Sequence, residues 1–253
     1  GASRRRPGTD SCVCDWRRIQ HLHKNRRRPS LEIRDSAEPS TQTQGVTGDA
    51  RSATRPESLG ERVFELIGSA AADLERRNWH PPVHLVYNPL AYARNPALTY
   101  HRRYVRAESG VLWMGMNPGP FGMVQTGVPF GARRTVQDLL GIGGEVLNPR
   151  VEHPKRPIRG FAEPREEVSG RRLWSFVAET WGNVDNFARV NALVNYCPLA
   201  FLNERGANIP LPGLATTDRR AVYERCDESL RATIKLLQPR HCVAIGRVAE
   251  SAL

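Results

Sequence analysis

Apolar positions first fall into a regular pattern at Ser58. Beyond it Val63, Phe64, Ile67, Ala71 and Leu74 recur at helical spacing, which predicts an amphipathic helix ending before Pro81-Pro82. Three later runs are continuously apolar: Val111-Leu112-Trp113-Met114-Gly115-Met116, Ala192-Leu193-Val194 and Cys242-Val243-Ala244-Ile245. Unbroken runs of this length read as strands buried on both faces, the habit of parallel sheets. Between them the spacing returns to helical. One stripe is Leu173, Trp174, Val177 and Trp181; another is Val222, Cys226, Leu230, Ile234 and Leu237, expected to open on a Thr217 cap with Asp218 in its first turn and to close at Pro239. Strands alternating with helices predict βαβ units and an α/β fold around a mainly parallel sheet. Ligands of such sheets bind beyond the carboxyl ends of the strands, so the residues after Met116, Val194 and Ile245 are where chemistry is expected.

Residues 1–56 lack this patterning. Arg, Ser, Thr, Pro, Gly and Gln dominate them, arginines cluster at Arg4-Arg5-Arg6 and Arg26-Arg27-Arg28, and the segment is expected to be a disordered basic tail. It reads either as a DNA-tethering or localisation tail or as upstream sequence from a misplaced start. Residues 57–253 are expected to form the α/β domain. The chain of 253 residues, 40% hydrophobic, is long enough for one such core.

The formal net charge of +11 is shared unevenly, with 12 Lys+Arg against 6 Asp+Glu in residues 1–55 and 25 against 20 in the rest. A basic balance suits a phosphate-rich partner through counterion release, and equally suits a soluble protein with an arginine-rich composition. The five cysteines are odd in number and scattered, which fits reduced thiols. Cys12-Val13-Cys14 has no partner pair at ligand spacing, so no metal is expected. No run approaches the roughly 18 apolar residues of a membrane span, and an intracellular location is expected, nuclear in a eukaryote or cytoplasmic in a bacterium.

After Met116 comes Asn117-Pro118-Gly119-Pro120-Phe121-Gly122-Met123, followed by Gln125-Thr126-Gly127-Val128-Pro129-Phe130-Gly131. Prolines pin φ and glycines permit close backbone approach, so this loop has a set path that holds two aromatics at a strand end, as a pocket for a flat heterocycle requires. These two stretches resemble the motif of the single-strand-selective monofunctional uracil-DNA glycosylases. Further matches run through Val86-Tyr87-Asn88-Pro89, His153-Pro154-Lys155-Arg156-Pro157, Glu167-Val168-Ser169-Gly170 and Asn195-Tyr196-Cys197-Pro198-Leu199, covering roughly residues 60 to 250.

The resemblance implies a uracil-DNA-glycosylase-like three-layer sandwich and a hydrolase that flips uracil, or a 5-substituted uracil such as the hydroxymethyl form, out of single- or double-stranded DNA. The product would be an abasic site. It implies that Asn117 holds the attacking water and that Phe130 stacks on the base. Asn195 reads the base edge, while Met116, Gly119 and Phe121 line the pocket. From the residues alone, Asn195 could equally be an amide satisfying the loop before Pro198. His153, Lys155 and Arg156 suit phosphate contacts, or form a solvated basic loop. No cofactor, DNA as partner, no membrane and a monomeric state complete the expectation. The family's second motif, a His-Pro-Ser-Pro-Arg-Asn-like segment, is expected to lie past the helix opened by Gly246-Arg247-Val248-Ala249-Glu250, with the final strand and helix also missing from residues 1–253. A non-catalytic DNA-binding homologue or an inactive fragment is the alternative reading.

Overall fold

A computed structural model describes residues 57–106 and 109–253. The expected tail of residues 1–56 lies outside them. Helix α1, Leu59–Glu75, opens as the pattern requires. Ser58 caps it, accepting from the Glu61 N–H while the Glu61 carboxylate accepts from the Ser58 N–H. Its buried stripe is Val63, Phe64, Ile67, Ala70, Ala71 and Leu74. The chain continues through β1 (Leu85–Tyr87), α2 (Pro89–Tyr92), α3 (Arg94–Tyr104), β2 (Val111–Gly115) and α4 (Met123–Thr126). Then follow α5 (Val168–Trp181), α6 (Val184–Ala188), β3 (Asn191–Asn195), β4 (Ala200–Leu202), β5 (Asn208–Ile209), α7 (Thr216–Leu237), β6 (His241–Ala244) and α8 (Arg247–Ala252).

The three apolar runs form one parallel sheet in the order β3-β2-β6, with Gly115 opposite Asn195 and Met114 opposite Ala244. Every residue of β3 is buried. The Trp113 ring packs on Trp181 and Phe187 from α5 and α6, so these helices cover one face of the sheet. Tyr100 of α3 donates to the Leu193 carbonyl at 2.9 Å, tying that helix to β3. Helix α1 packs against both α3 and α7.

A second sheet, β1-β4-β5, is antiparallel and has no counterpart in the apolar pattern. Its strands are two or three residues long, too short to show a period. The start of α7 also differs from expectation. Thr217 does not cap it; Ala215 occupies the cap position without a side-chain bond. Asp218 does stand in the first turn, fully buried, and its carboxylate accepts from the His80 backbone N–H at 2.8 Å and meets the His80 ring at 3.0 Å, which ties the start of α7 to the segment after α1.

His101 on α3 makes the core acid-sensitive. Its Nδ1–H donates to the Ala97 carbonyl at 2.8 Å, Nε2 is buried without a partner, and Phe64 and Tyr100 meet the ring edge-on. Burial lowers its pKa from 6.5 to about 4. Between those values the unfolded chain binds a proton that the folded one refuses, so stability is complete above pH 6.5 and is lost as pH falls toward 4. Urea unfolding at pH 7 and pH 4.5 should show the wild type losing about 2 kcal/mol more stability than His101→Leu over that interval. Equal losses would assign the acid sensitivity elsewhere.

Candidate active site

The candidate site lies where β2 and β3 end side by side. The parallel ladder runs one step past the strands, with Tyr196 N–H donating to Gly115 O and Cys197 N–H to Met116 O, both at 2.8 Å. This brings Asn117 alongside Leu199, and its Nδ2 donates to the Leu199 carbonyl at 3.4 Å. The Asn117 Oδ1 is buried and has no partner among the described residues. An unsatisfied buried acceptor costs about 1 to 3 kcal/mol, a cost that a ligand with a hydrogen to donate would relieve.

Gly115 is the point against which the neighbouring side chains pack. A Cβ there would lie 2.5 Å from both Asn195 Oδ1 and the Phe130 ring, so all three groups converge on one point. Asn195 is buried, and its Nδ2 donates to the Met123 sulfur at 3.1 Å. A thioether is a weak acceptor, so this donor can be transferred to a better one at little cost. Tyr196, next in sequence, donates to Asp227 Oδ1 at 2.6 Å and so fixes the strand end to α7; burial pushes its phenol far above the ordinary range and keeps it a donor.

Phe130 adopts φ of +54°, a left-handed conformation that costs a non-glycine residue about 1 kcal/mol or more. Its surroundings hold it there. Gly131 N–H donates to Val128 O at 2.9 Å, and Thr126 Oγ1 donates to Gly131 O. Gly170 on α5 lies so close to the Phe130 carbonyl that no side chain would fit.

The pocket loop is shaped by Glu167, whose role the sequence did not reveal. Its Oε2 accepts from Phe121 N–H at 3.2 Å, and a Cβ on Gly119 would collide with the same carboxylate. At Gly122 a Cβ would press on the Glu167 side chain at 3.1 Å. Two of the motif glycines thus make a slot for one carboxylate 45 or more residues later, a relation no local pattern contains. Met116, Gly119 and Phe121 are all half-buried around this loop.

The basic stretch divides. Lys155 is exposed, but His153 is 1% exposed, with Nδ1 accepting from Lys155 N–H at 3.1 Å and Nε2 donating to Asn203 O at 3.1 Å. Both ring nitrogens are committed, so the expected phosphate contact by His153 does not fit; it folds the turn that presents Lys155 and Arg156. Arg156 is half-buried with its guanidinium 5.5 Å from the Phe121 ring centre, and Arg165 lies over the same ring at 4.0 Å. That stacking places Arg165 beside the pocket loop, which its position in the sequence did not suggest.

Among the described residues no cluster of His, Cys, Asp or Glu could hold a metal, and no helix is long and apolar enough to cross a membrane. Cys197, Cys226 and Cys242 are free thiols; the contact with Cys197, then burial, raises the Cys226 pKa.

No family model matches the chain. It is 44% identical over 193 residues to a single-strand selective monofunctional uracil-DNA glycosylase of Rattus norvegicus, covering 76% of this chain and 69% of that one. The corresponding protein of Mus musculus is 43% identical over the same length and with the same coverage. That of Bos taurus is 42% identical over 195 residues, covering 77% and 72%. The crystal structure of wild-type Pedobacter heparinus SMUG2 superposes with a TM-score of 0.53 at 20% identity, covering 75% of this chain and 77% of that one, a likeness of fold.

Proposed function

The chain belongs to the single-strand-selective monofunctional uracil-DNA glycosylase family, and from that premise we propose that it excises uracil from DNA by hydrolysing the N-glycosidic bond. The observation that carries this reading is the convergence of Phe130 and Asn195 on Gly115, two residues before Asn117 with its unpartnered Oδ1. A base turned out of the stack would lie on the Phe130 ring. Asn195 would accept from uracil N3–H and donate to O4, giving up the Met123 sulfur. Asn117 Oδ1 would accept a hydrogen bond from a water placed toward the sugar. As the C1′–N1 bond breaks, the electron pair leaves with uracil, the water oxygen bonds to C1′, and its proton is released to solvent, leaving an abasic site. We extend the reading to uracils carrying a small 5-substituent and to both single- and double-stranded DNA.

The direct test incubates the protein with end-labelled oligonucleotides containing uracil or 5-hydroxymethyluracil, single-stranded and paired, then treats them with alkali. Cleavage at the modified base alone supports the reading. Binding without cleavage would favour a non-catalytic DNA-binding protein.

Lys155 and Arg156 are assigned to phosphate. Replacing either by alanine should reduce the slope of log K against log salt by about 0.7 on single strands, without altering which base is released. An unchanged slope would remove that residue from the DNA contact.

A further inference from the structure

Gln125 sits on α4 directly behind the pocket loop and is 2% exposed. A carboxamide offers two donor and two acceptor positions, and in Gln125 all four are filled. Nε2 donates to Pro120 O at 3.2 Å and to Pro157 O at 3.3 Å; Oε1 accepts from Arg159 N–H at 2.8 Å and Gly160 N–H at 3.1 Å. Every partner is main chain. One belongs to the loop that carries Asn117 and Phe121, and three belong to the segment that follows Lys155 and Arg156.

Both segments are otherwise rigid. Prolines 118 and 120 stiffen the pocket loop. At the far side of the basic turn, the Tyr87 hydroxyl donates to Arg156 O at 2.7 Å and accepts from His153 N–H at 2.8 Å. Gly160, at φ of +56°, is backed by Val146 and has no room for a side chain. The Gln125 amide is therefore a joint between two stiff pieces.

We propose that Gln125 is a positioning residue that sets the basic turn against the pocket loop, so that capture of the DNA backbone and seating of the base occur in one register. This rests on the glycosylase reading above. A displaced joint would leave each piece able to bind while misplacing Asn117 relative to the sugar, and a misplacement of about 1 Å can cost about 10²-fold in rate. The loss belongs in the chemical step, whereas a side chain that only fills the core would lower binding and rate together.

Two variants test this. Gln125→Glu retains an acceptor for Arg159 and Gly160 but turns a carboxylate oxygen on the carbonyls of Pro120 and Pro157; Gln125→Met keeps the length and removes all four bonds. For each, the thermal melt, the affinity and salt slope for a uracil-free single-stranded oligonucleotide, and the single-turnover release of uracil at saturating protein are measured. Expected are cooperative melts, affinity within about threefold, an unchanged salt slope and release lowered by about tenfold or more. Release within about tenfold of the unaltered protein, or release and affinity falling by the same factor, would overturn the proposal. So would the absence of a cooperative melt in both variants, which would make Gln125 a determinant of folding. If the unaltered protein releases no uracil, it is the glycosylase reading that fails, and the inference with it.

Discussion

Asn117→Ala should lower single-turnover release of uracil by at least about 10²-fold, the scale on which a misplaced nucleophile costs rate. DNA affinity and the melting temperature should change little. The side chain makes one hydrogen bond in the protein, from Nδ2 to Leu199 O, and at 3.4 Å that bond is long. Losing it costs roughly 1 kcal/mol at most, and the buried Oδ1, which has no partner, disappears with it. The folded state therefore has little to lose from the substitution. The reaction has more, because an acceptor that fixes the attacking water acts only when the nucleophile must be in place. The measurement pairs rapid-quench release at saturating protein with binding to an uncleaved oligonucleotide. A fall in affinity that matches the fall in rate would make Asn117 part of the loop's architecture rather than of the chemistry.

Asn195→Asp should sharply reduce uracil release and raise the ratio of cytosine to uracil release even if both are slow. In uracil the edge presents an N3–H donor and an O4 acceptor; in cytosine it presents an unprotonated N3 and an N4 amino donor. The amide of Asn195 matches the first pattern. A carboxylate keeps the acceptor, loses the donor and faces uracil O4 with a second acceptor. Each opposed or unpaired buried group costs about 1 to 3 kcal/mol, a factor of roughly 5 to 150. Cytosine N4 can donate to the carboxylate and escapes part of that penalty. The position tests base reading well, because within the protein the Asn195 donor meets only the Met123 sulfur, a weak partner whose loss costs the fold little. Competition between the two bases in otherwise identical oligonucleotides measures the ratio. Full uracil activity with no change in that ratio would move the base-reading edge away from Asn195.

Helices α1, α5 and α7 and the parallel sheet could be read directly, though α3 could not, and for one reason: period and continuity are local properties. The stripe from Val63 to Leu74 lies within one 17-residue helix, and the three apolar runs are strands because each is short and unbroken; the third departs from the expected burial on both faces, with Cys242, Ala244 and Ile245 half-buried, because among the described residues β6 pairs with β2 alone. The place of the candidate site was expected from the same kind of argument, since loops after parallel strands converge on one edge. Asn117 and Asn195 do lie at neighbouring strand ends, two residues and none beyond the paired Gly115 and Asn195. The antiparallel sheet was invisible because two- and three-residue strands carry no period.

Tertiary structure alone decided what each side chain is free to do. His153 and Lys155 are two residues apart and equally suited to phosphate on paper, yet the fold commits one nitrogen of His153 to its own turn and the other to the Asn203 carbonyl, and leaves Lys155 in solvent. Asp218 is the first-turn acid that the pattern predicts, and it is also a buried acceptor for His80, 138 residues away, which no local pattern shows. Glu167 and Gln125 each stood in a stretch matched to the family, yet nothing local gave either of them a role. Their importance lies in which main-chain atoms they reach, at Phe121 in one case and at Pro120, Pro157, Arg159 and Gly160 in the other. A residue type states how many hydrogen bonds a group can make; only the folded chain determines how many are already made, and the chemistry is left to those that remain.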